Sequence, residues 1–392
     1  MTSSNPIPPV STALVLYDPT LPHIALKAHL EDAADKAVGH SLEVEKFESQ
    51  HLSLEGRLVY LAQNLPKMVP FPFSGVIALQ AGDGSIVQAC HCPNQAEFSE
   101  DQVFNVLSIG KLFTATAVMQ LIEDGKFSLD TPLSELLKED ELDLPLSAPY
   151  LEQKPDAESL QQLKKHSSEI TLANLLSHTA GFVERPGSES EGIAPGENWN
   201  REHIGKDCYS NYGYQLLARI IGKHTSCGIL LTDHEAKFRA HIEEKIFKPA
   251  GMEGAIREIR SPSEHRLDCF EVSEQGATTR IESPDPYPHG NGCWRMTAAD
   301  LLAFGSAIRK HHTLIKESSF KTIMEYPGLL GFWKDHDPKS GDVSGYGHPG
   351  GGPGMSSFFN VWETDPPITA VVLSNYSGCE MVKPFLDPMM QQ

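Results

Sequence analysis

The alternation of apolar and polar positions gives the chain strand-like ends and a helical middle. Gly75-Val76-Ile77-Ala78-Leu79-Gln80 and Ser85 to Cys90 are short β-rich runs. Gly82-Asp83-Gly84 between them suits a tight turn, which predicts a hairpin. From Ser108 to Glu123 the apolar residues Leu112, Ala115, Met119 and Ile122 recur at helical spacing, and Asp124-Gly125 supplies the stop. A second helix begins at the capping Thr171, runs through Leu176 and ends near Gly181. A third covers Tyr212 to Lys223. A fourth covers Thr297 to Lys310, where Thr297 and Asp300 stand in capping-box relation. Ser356 to Trp362 and Ile368 to Leu373 return to strand, joined by Glu363-Thr364-Asp365-Pro366-Pro367 as a second hairpin. Near the N-terminus, Leu26 to Val38 and Leu54 to Leu65 have amphipathic spacing, the latter ended by Pro66.

Two stretches interrupt this pattern. Leu137 to Glu169 is charged and contains prolines, which predicts a surface excursion with some helix. Glu184 to Gly196 is rich in Gly, Ser, Glu and Pro and reads as a loop. Strands at both ends with helices between them imply an α/β (α+β) fold. Its antiparallel sheet is built from both chain ends and flanked by helices, with a mainly helical region inserted over about residues 112–295. Residues 1–70 form an N-terminal extension, expected to pack on the core domain of residues 71–392.

Composition narrows the function classes. The 392 residues suit one large domain or two intimately built ones, and 40% hydrophobic against 21% charged residues is an ordinary globular balance. With 32 basic and 52 acidic side chains the net charge is −20, which repels phosphate backbones and anionic lipid and so argues against nucleic-acid or membrane partners. No apolar run reaches the ~20 residues of a membrane span. Met1 to Pro9 shows neither a basic nor an apolar signal region. The seven scattered cysteines then read as reduced thiols, and the expected compartment is the cytoplasm. Cys90-His91-Cys92 is a cluster that could suggest a metal, but its alternation continues the preceding strand and no second ligand pair has matching spacing. No metal or other cofactor is expected. His311-His312 reads as an exposed helix end.

The chemistry concentrates in three places. Ser108-Ile109-Gly110-Lys111 is S-x-x-K at a helix start, and residues three apart share a helix face, so the lysine amine reaches the serine hydroxyl. Unprotonated, such a lysine can take the serine proton, provided its surroundings lower its pKa. Tyr209-Ser210-Asn211 places a proton-relaying phenol and an amide just before a helix. His348-Pro349-Gly350-Gly351 precedes the C-terminal strands. S-x-x-K alone is weak, being equally a capping serine with a solvated lysine.

Together and in this order, the three elements resemble the penicillin-recognising (β-lactamase-like) serine hydrolase family. Within it the chain looks like the branch of class C β-lactamases, D-Ala-D-Ala carboxypeptidases, serine esterases and lovastatin-type acyltransferases. Leu175-Leu176-Ser177-His178-Thr179-Ala180-Gly181, Tyr209 to Ile221, Pro249-Ala250-Gly251-Met252 and Gly347 to Ser356 carry further likeness, over about Ser74 to Ser377. The resemblance implies that Ser108 attacks a carbonyl and that Lys111 takes its proton or tunes Tyr209 to do so. Tyr209 would then serve the second step and the leaving group, and Asn211 would orient Lys111 and the acyl group. The backbone N–H groups of Ser108 and Gly351 would form the oxyanion hole, with Gly350 beside them.

His348 departs from the family's usual lysine and is less reliably cationic, which turns the expectation away from substrate carboxylates. Pro349 fits only an edge strand. Trp294 is a candidate for the acyl pocket, with a core position the equal alternative. His178 reads as structural rather than as a triad histidine. No G-x-S-x-G elbow or phosphate loop is present.

The implied activity is a serine hydrolase or acyltransferase acting on an ester, thioester or amide of a small molecule, in intracellular small-molecule metabolism. Its partners would be a small acyl substrate and an alcohol acceptor or acyl carrier. A β-lactamase or D-amino-acid peptidase is the alternative. A non-catalytic scaffold of the same fold is the rival of another class, although such proteins usually lose the serine, lysine or tyrosine.

Overall fold

The computed structural model describes residues 53–69, 73–82, 84, 86–91, 101–143, 155–184, 197–227, 233–262, 267–272, 278–281, 288–310, 313–378, 382–383 and 386–387. The expected helix over Leu26–Val38, the Glu184–Gly196 loop beyond Glu184, Cys92, and the His311-His312 pair lie outside them.

Six strands form one antiparallel sheet: β1 (Gly75–Ala81), β2 (Ile86–His91), β9 (Trp333–His336), β10 (Val343–Gly352), β11 (Met355–Trp362) and β12 (Ile368–Ser374). Their order is β2-β1-β12-β11-β10-β9, so the first hairpin and the last strands meet where β1 pairs β12, Gly75 opposite Ser374 and Ala81 opposite Ile368. The two-residue alternation of side chains sorts this sheet into two faces, both buried. Val76, Ala78, Phe359, Val361, Val371 and Leu373 face the main core. Ile77, Leu79, Phe358, Trp362, Ala370 and Val372 face the other way, onto Leu58, Leu61, Ala62 and Leu65 of helix α1 (Leu54–Met68).

That helix extends beyond its expected end. Pro66 sits inside its last turn, where the missing N–H costs one hydrogen bond and the Val69 N–H still reaches the Leu65 carbonyl. Part of the N-terminal extension is thus a layer of the fold, covering the sheet face away from the main core.

The main core is helical. α2 (Gly110–Glu123) is buried along nearly its whole length, as expected of a helix without a polar stripe. It is preceded by a short 3-10 turn, Leu107–Ile109, so Ser108 stands just outside the α-helix rather than in it. Around it lie α3 (Leu133–Leu136), α4 (Ala157–His166), α5 (Leu172–Leu176), α6 (Asn211–His224), α7 (His234–Ile242), α8 (Lys248–Ala250), α9 (Glu253–Arg260), α10 (Ala298–Arg309) and α11 (Glu317–Glu325). Thr171 and Thr297 cap α5 and α10 in full capping boxes with Asn174 and Asp300.

Two expectations are corrected here. The stretch from Leu137 to Glu169 is not merely a surface excursion, because Leu137, Leu142, Leu160 and Leu163 are buried in the core. The helix begun at Thr171 stops at Leu176, since His178 takes a left-handed φ of 59°, and Ala180–Glu184 becomes strand β4. β4 pairs with β5 (Glu197–Ile204), and β3 (Phe104–Asn105) with β8 (Arg295–Met296). A third pair, β6 (Cys269–Val272) with β7 (Thr278–Ile281), lies beside β11.

Candidate active site

The site is built where the 3-10 turn at the head of α2 meets β10 and the N-terminus of α6. The turn is strained. Leu107 has a left-handed φ of 51°, a conformation costing about 1–3 kcal/mol for a side chain of this kind, and its N–H is held by the Asn105 Oδ1 at 2.9 Å. The turn is also gripped from both sides by close backbone contact. A Cβ on Gly350 would lie 2.3 Å from Ser357 Oγ and 2.9 Å from both Leu107 Cβ and the Val106 carbonyl. A Cβ on Gly292, at φ 145°, would lie 2.2 Å from the Leu107 carbonyl. Only glycine permits either approach.

Lys111, in the first turn of α2 and three residues after Ser108, brings its Nζ to 3.2 Å from Ser108 Oγ. Lys111 is fully buried, and its Nζ also donates to Asn211 Oδ1 at 2.8 Å and to the Asn291 carbonyl at 2.9 Å. Burial removes the water that would solvate an ammonium. It lowers the Lys111 pKa to about 7 against the opposing pull of Cys293 and Glu197. The two carbonyl oxygens can only accept. In the neutral amine they therefore engage both N–H groups, and the lone pair is left facing Ser108 Oγ.

Tyr209 completes the trio. Its hydroxyl donates to Ser108 Oγ at 2.9 Å. The residue is 40% exposed at the cleft, yet its surroundings desolvate the phenol and push its pKa well above the usual tyrosine value, so it rests as a neutral donor. The ring lies on His178, centroids 4.4 Å apart and 28° between planes, and Lys111 Nζ sits 4.7 Å from the Tyr209 centroid. His178 is buried and neutral: burial first, then Lys111, hold its pKa well below the usual value. Its Nδ1 accepts the Ser210 N–H at 3.0 Å, so it supports the Tyr209 segment from beneath.

The segment is fixed from the other side by a residue that sequence reasoning missed. Glu197, first residue of β5 and 4% exposed, accepts from Ser210 Oγ at 2.5 Å, from the Asn211 N–H at 2.7 Å and from the Tyr212 N–H at 3.2 Å. These N–H groups open α6 and have no partner within the helix. Ser210 Oγ in turn caps the helix by accepting the Gly213 N–H at 2.9 Å. Burial outweighs these bonds and raises the Glu197 pKa to about 7. In the sequence Glu197 follows a loop-like stretch and precedes Tyr209 by a dozen positions. No spacing rule connects them, because the chain between them runs along β5 and folds back onto Thr179 and His178 before α6 begins.

Pro349, His348 and Trp294 take the following places. Pro349 is not on the edge strand of the sheet, since β9 lies outside β10. However, β9 pairs only Val343 to Gly347, so the half carrying Pro349, Gly350 and Gly351 has no outer strand among the described residues. His348 is 2% exposed. Its Nδ1 faces the Pro349 carbonyl, and burial together with Lys111 drops its pKa to about 3, so the ring is neutral and presents no cation. Trp294 does not line a pocket. It is 1% exposed and its ring packs on Phe247, Phe238 and Phe113 at 5.0, 6.0 and 6.4 Å, behind the nucleophile turn. Its carbonyl accepts the Val106 N–H, so it steadies the turn from the core. Trp333 on β9, 39% exposed and 5.4 Å from the His348 ring, is instead the tryptophan at the cleft. Among the described residues no group of three His, Cys, Asp or Glu side chains is placed to hold a metal ion.

The structure thus brings Ser108, Lys111, Tyr209 and Asn211 together, with Gly350 against the same turn. The family model described as Beta-lactamase matches residues 72–384. Penicillin-binding protein 4 of Amycolatopsis lactamdurans is 24% identical over 293 residues, 67% of this chain and 69% of that protein. The penicillin binding protein of Bacillus halodurans superposes with a TM-score of 0.60 at 19% identity, covering 85% of this chain and 98% of the other. The D-amino acid amidase of Ochrobactrum anthropi SV3 gives 0.59 at 17% identity, covering 86% and 97%.

Proposed function

This chain belongs to the Beta-lactamase family of serine hydrolases, and we propose that it cleaves an uncharged ester, thioester or amide of a small molecule through an acyl-serine on Ser108. The acyl group then passes to water or to an alcohol. The observation that carries this reading is the hydrogen-bond order around Ser108 Oγ. Tyr209 donates to it at 2.9 Å, and Lys111 Nζ, held by two carbonyls, lies 3.2 Å from it, where the lone pair of the neutral amine would face it.

The steps follow from that order. Neutral Lys111 takes the Ser108 proton as Oγ bonds to the substrate carbonyl carbon. The carbonyl oxygen becomes an oxyanion, received by the backbone N–H groups of Ser108 and Gly351. Donors of this kind are worth about 3–4 kcal/mol each in the transition state. As the oxyanion re-forms the carbonyl and the bond to the leaving group breaks, Tyr209, a neutral phenol beside Oγ, passes a proton to the leaving oxygen, nitrogen or sulfur and is restored from Lys111. The second step reverses the order, with water or alcohol losing its proton into the same pair.

Hydrolysis of a neutral substrate is favoured over β-lactam or peptide carboxylate recognition by the state of His348. A buried, neutral imidazole supplies no charge to a carboxylate. The fold is shared with penicillin-binding proteins and a D-amino acid amidase, and those activities are the other outcomes of the test. Hydrolysis of short-chain p-nitrophenyl esters, a penicillin and a D-alanyl-D-alanine peptide is measured on wild type and Ser108→Ala, with and without an added alcohol. Ester turnover lost in Ser108→Ala, exceeding that of both carboxylate substrates, is expected. Preferred turnover of the penicillin or the peptide would overturn the substrate class, and ester turnover surviving in Ser108→Ala would overturn the nucleophile.

A further inference from the structure

A carboxylate buried to 4% exposure costs several kcal/mol unless its surroundings compensate, so its position calls for an explanation. Glu197 sits at the start of a chain of three contacts that ends on the nucleophile. Its Oε1 receives the Asn211 N–H at 2.7 Å; the Asn211 Oδ1 receives Lys111 Nζ at 2.8 Å; and Lys111 Nζ lies 3.2 Å from Ser108 Oγ. Its Oε2 receives Ser210 Oγ, which stands between Tyr209 and Asn211 in sequence. A helix cap alone would not need this arrangement. Ser210 already caps α6, and a carboxylate at an exposed N-terminus would serve the helix without the cost of burial.

We propose that Glu197 is a positioning residue for the reaction: it locks Tyr209 and Asn211 in register with Ser108 and Lys111, and its negative charge acts on the proton of Lys111. The inference rests on the acyl-serine reading above.

The groups facing Lys111 are few. Tyr209 and Tyr214 present their ring faces at 4.7 and 5.4 Å, and Cys293 and Glu197 favour the charged amine. His178 and His348 are buried and neutral, both held so in part by Lys111 itself. Ser210, Asn211, Tyr212 and Lys111 face Glu197, Glu184 is its partner across β4–β5, and Cys208, Tyr209 and Tyr212 sense its charge. Lys111 and Glu197 each act on the other as an opposite charge, and burial brings both to about 7, so the two titrate as a coupled pair. The sign of the coupling is fixed. Ionised Glu197 stabilises the ammonium and delays the loss of the Lys111 proton, so removing the charge allows neutral Lys111 at lower pH.

The experiment measures kcat/KM for a p-nitrophenyl ester against pH in wild type, Glu197→Gln, Glu197→Asp and Ser108→Ala. Glu197→Gln keeps an acceptor for the Asn211 N–H but loses the charge, and its acid limb is expected to move down by about one pH unit. Glu197→Asp keeps the charge and shortens the reach, so its limb stays in place while kcat falls at least tenfold.

A Glu197→Gln limb that coincides with wild type, or a Glu197→Asp limb that shifts with it, overturns the proposal, since a merely structural residue would lower the rate equally at every pH. If Glu197→Gln does not fold, Glu197→Met, which also lacks the charge, takes its place: an acid limb lower by about one pH unit supports the proposal, and a limb that coincides with wild type overturns it. Activity persisting in Ser108→Ala would instead remove the acyl-serine reading itself, whatever Glu197 does.

Discussion

At the scale of single residues, the site works by controlling where protons rest. Lys111 is a buried amine whose pKa lies at about 7, and Tyr209 is a phenol pushed above its usual range, so the resting order is neutral amine, hydroxyl and phenol. A base with lowered pKa is active above it, so kcat/KM should rise through pH 7 along one acid limb and stay level into the alkaline range. Tyr209→Phe keeps the ring over His178 but removes the donor to Ser108. It should cut kcat/KM about 10²–10⁴-fold while the acid limb remains where it was. A limb that vanishes in Tyr209→Phe would make the phenol, not the amine, the base. Both measurements use a simple ester and a pH series.

At the scale of elements, Ser108 is presented by a strained turn held between two surfaces that need glycine. Gly350→Ala would drive a methyl into Ser357 Oγ, Leu107 and the Val106 carbonyl. It is expected to cost about 1–3 kcal/mol in thermal unfolding and to depress turnover much further, because the displaced group is the nucleophile's own turn. Unchanged turnover in a folded Gly350→Ala protein would contradict this account of the turn.

The same elements mark what a linear reading could see. S-x-x-K and Y-x-N were legible because each is local, a turn of helix or three adjacent residues. The sheet was legible because β-rich runs stand at both chain ends with two-residue periodicity. Glu197 was not, since its partners Ser210, Asn211 and Tyr212 are brought back to it only by the fold of the chain after β5. The place of Trp294 was not legible, since it stands just before the two-residue β8, and only the packing of Phe113, Phe238 and Phe247 puts it in the core. The partial edge at Pro349 likewise depends on where β9 stops.

At the scale of the whole molecule, the sheet separates two jobs. One face is covered by α1. The other supports the helical core whose α2 and α6 meet at Ser108. The site's two buried charges should be visible in global stability. Between the ordinary glutamate value of 4.5 and about 7 the folded chain binds the extra proton of Glu197, so that contribution falls as pH rises. Between about 7 and the ordinary lysine value of 10.5 the unfolded chain binds the extra proton of Lys111, so that contribution rises with pH. The pair therefore contributes least near pH 7. The melting temperature of wild type relative to a Glu197→Gln/Lys111→Met double variant should pass through a minimum there. A flat or maximal difference at pH 7 would mean that the two groups are not held as described.

The central claim, a covalent acyl group on Ser108, is tested most directly by acid-quenching the protein during turnover of a p-nitrophenyl ester and mapping the added mass by peptide mass spectrometry. The account predicts the acyl mass on the peptide containing Ser108 in wild type and its absence in Ser108→Ala. An acyl group carried by another residue, with turnover persisting in Ser108→Ala, would contradict it.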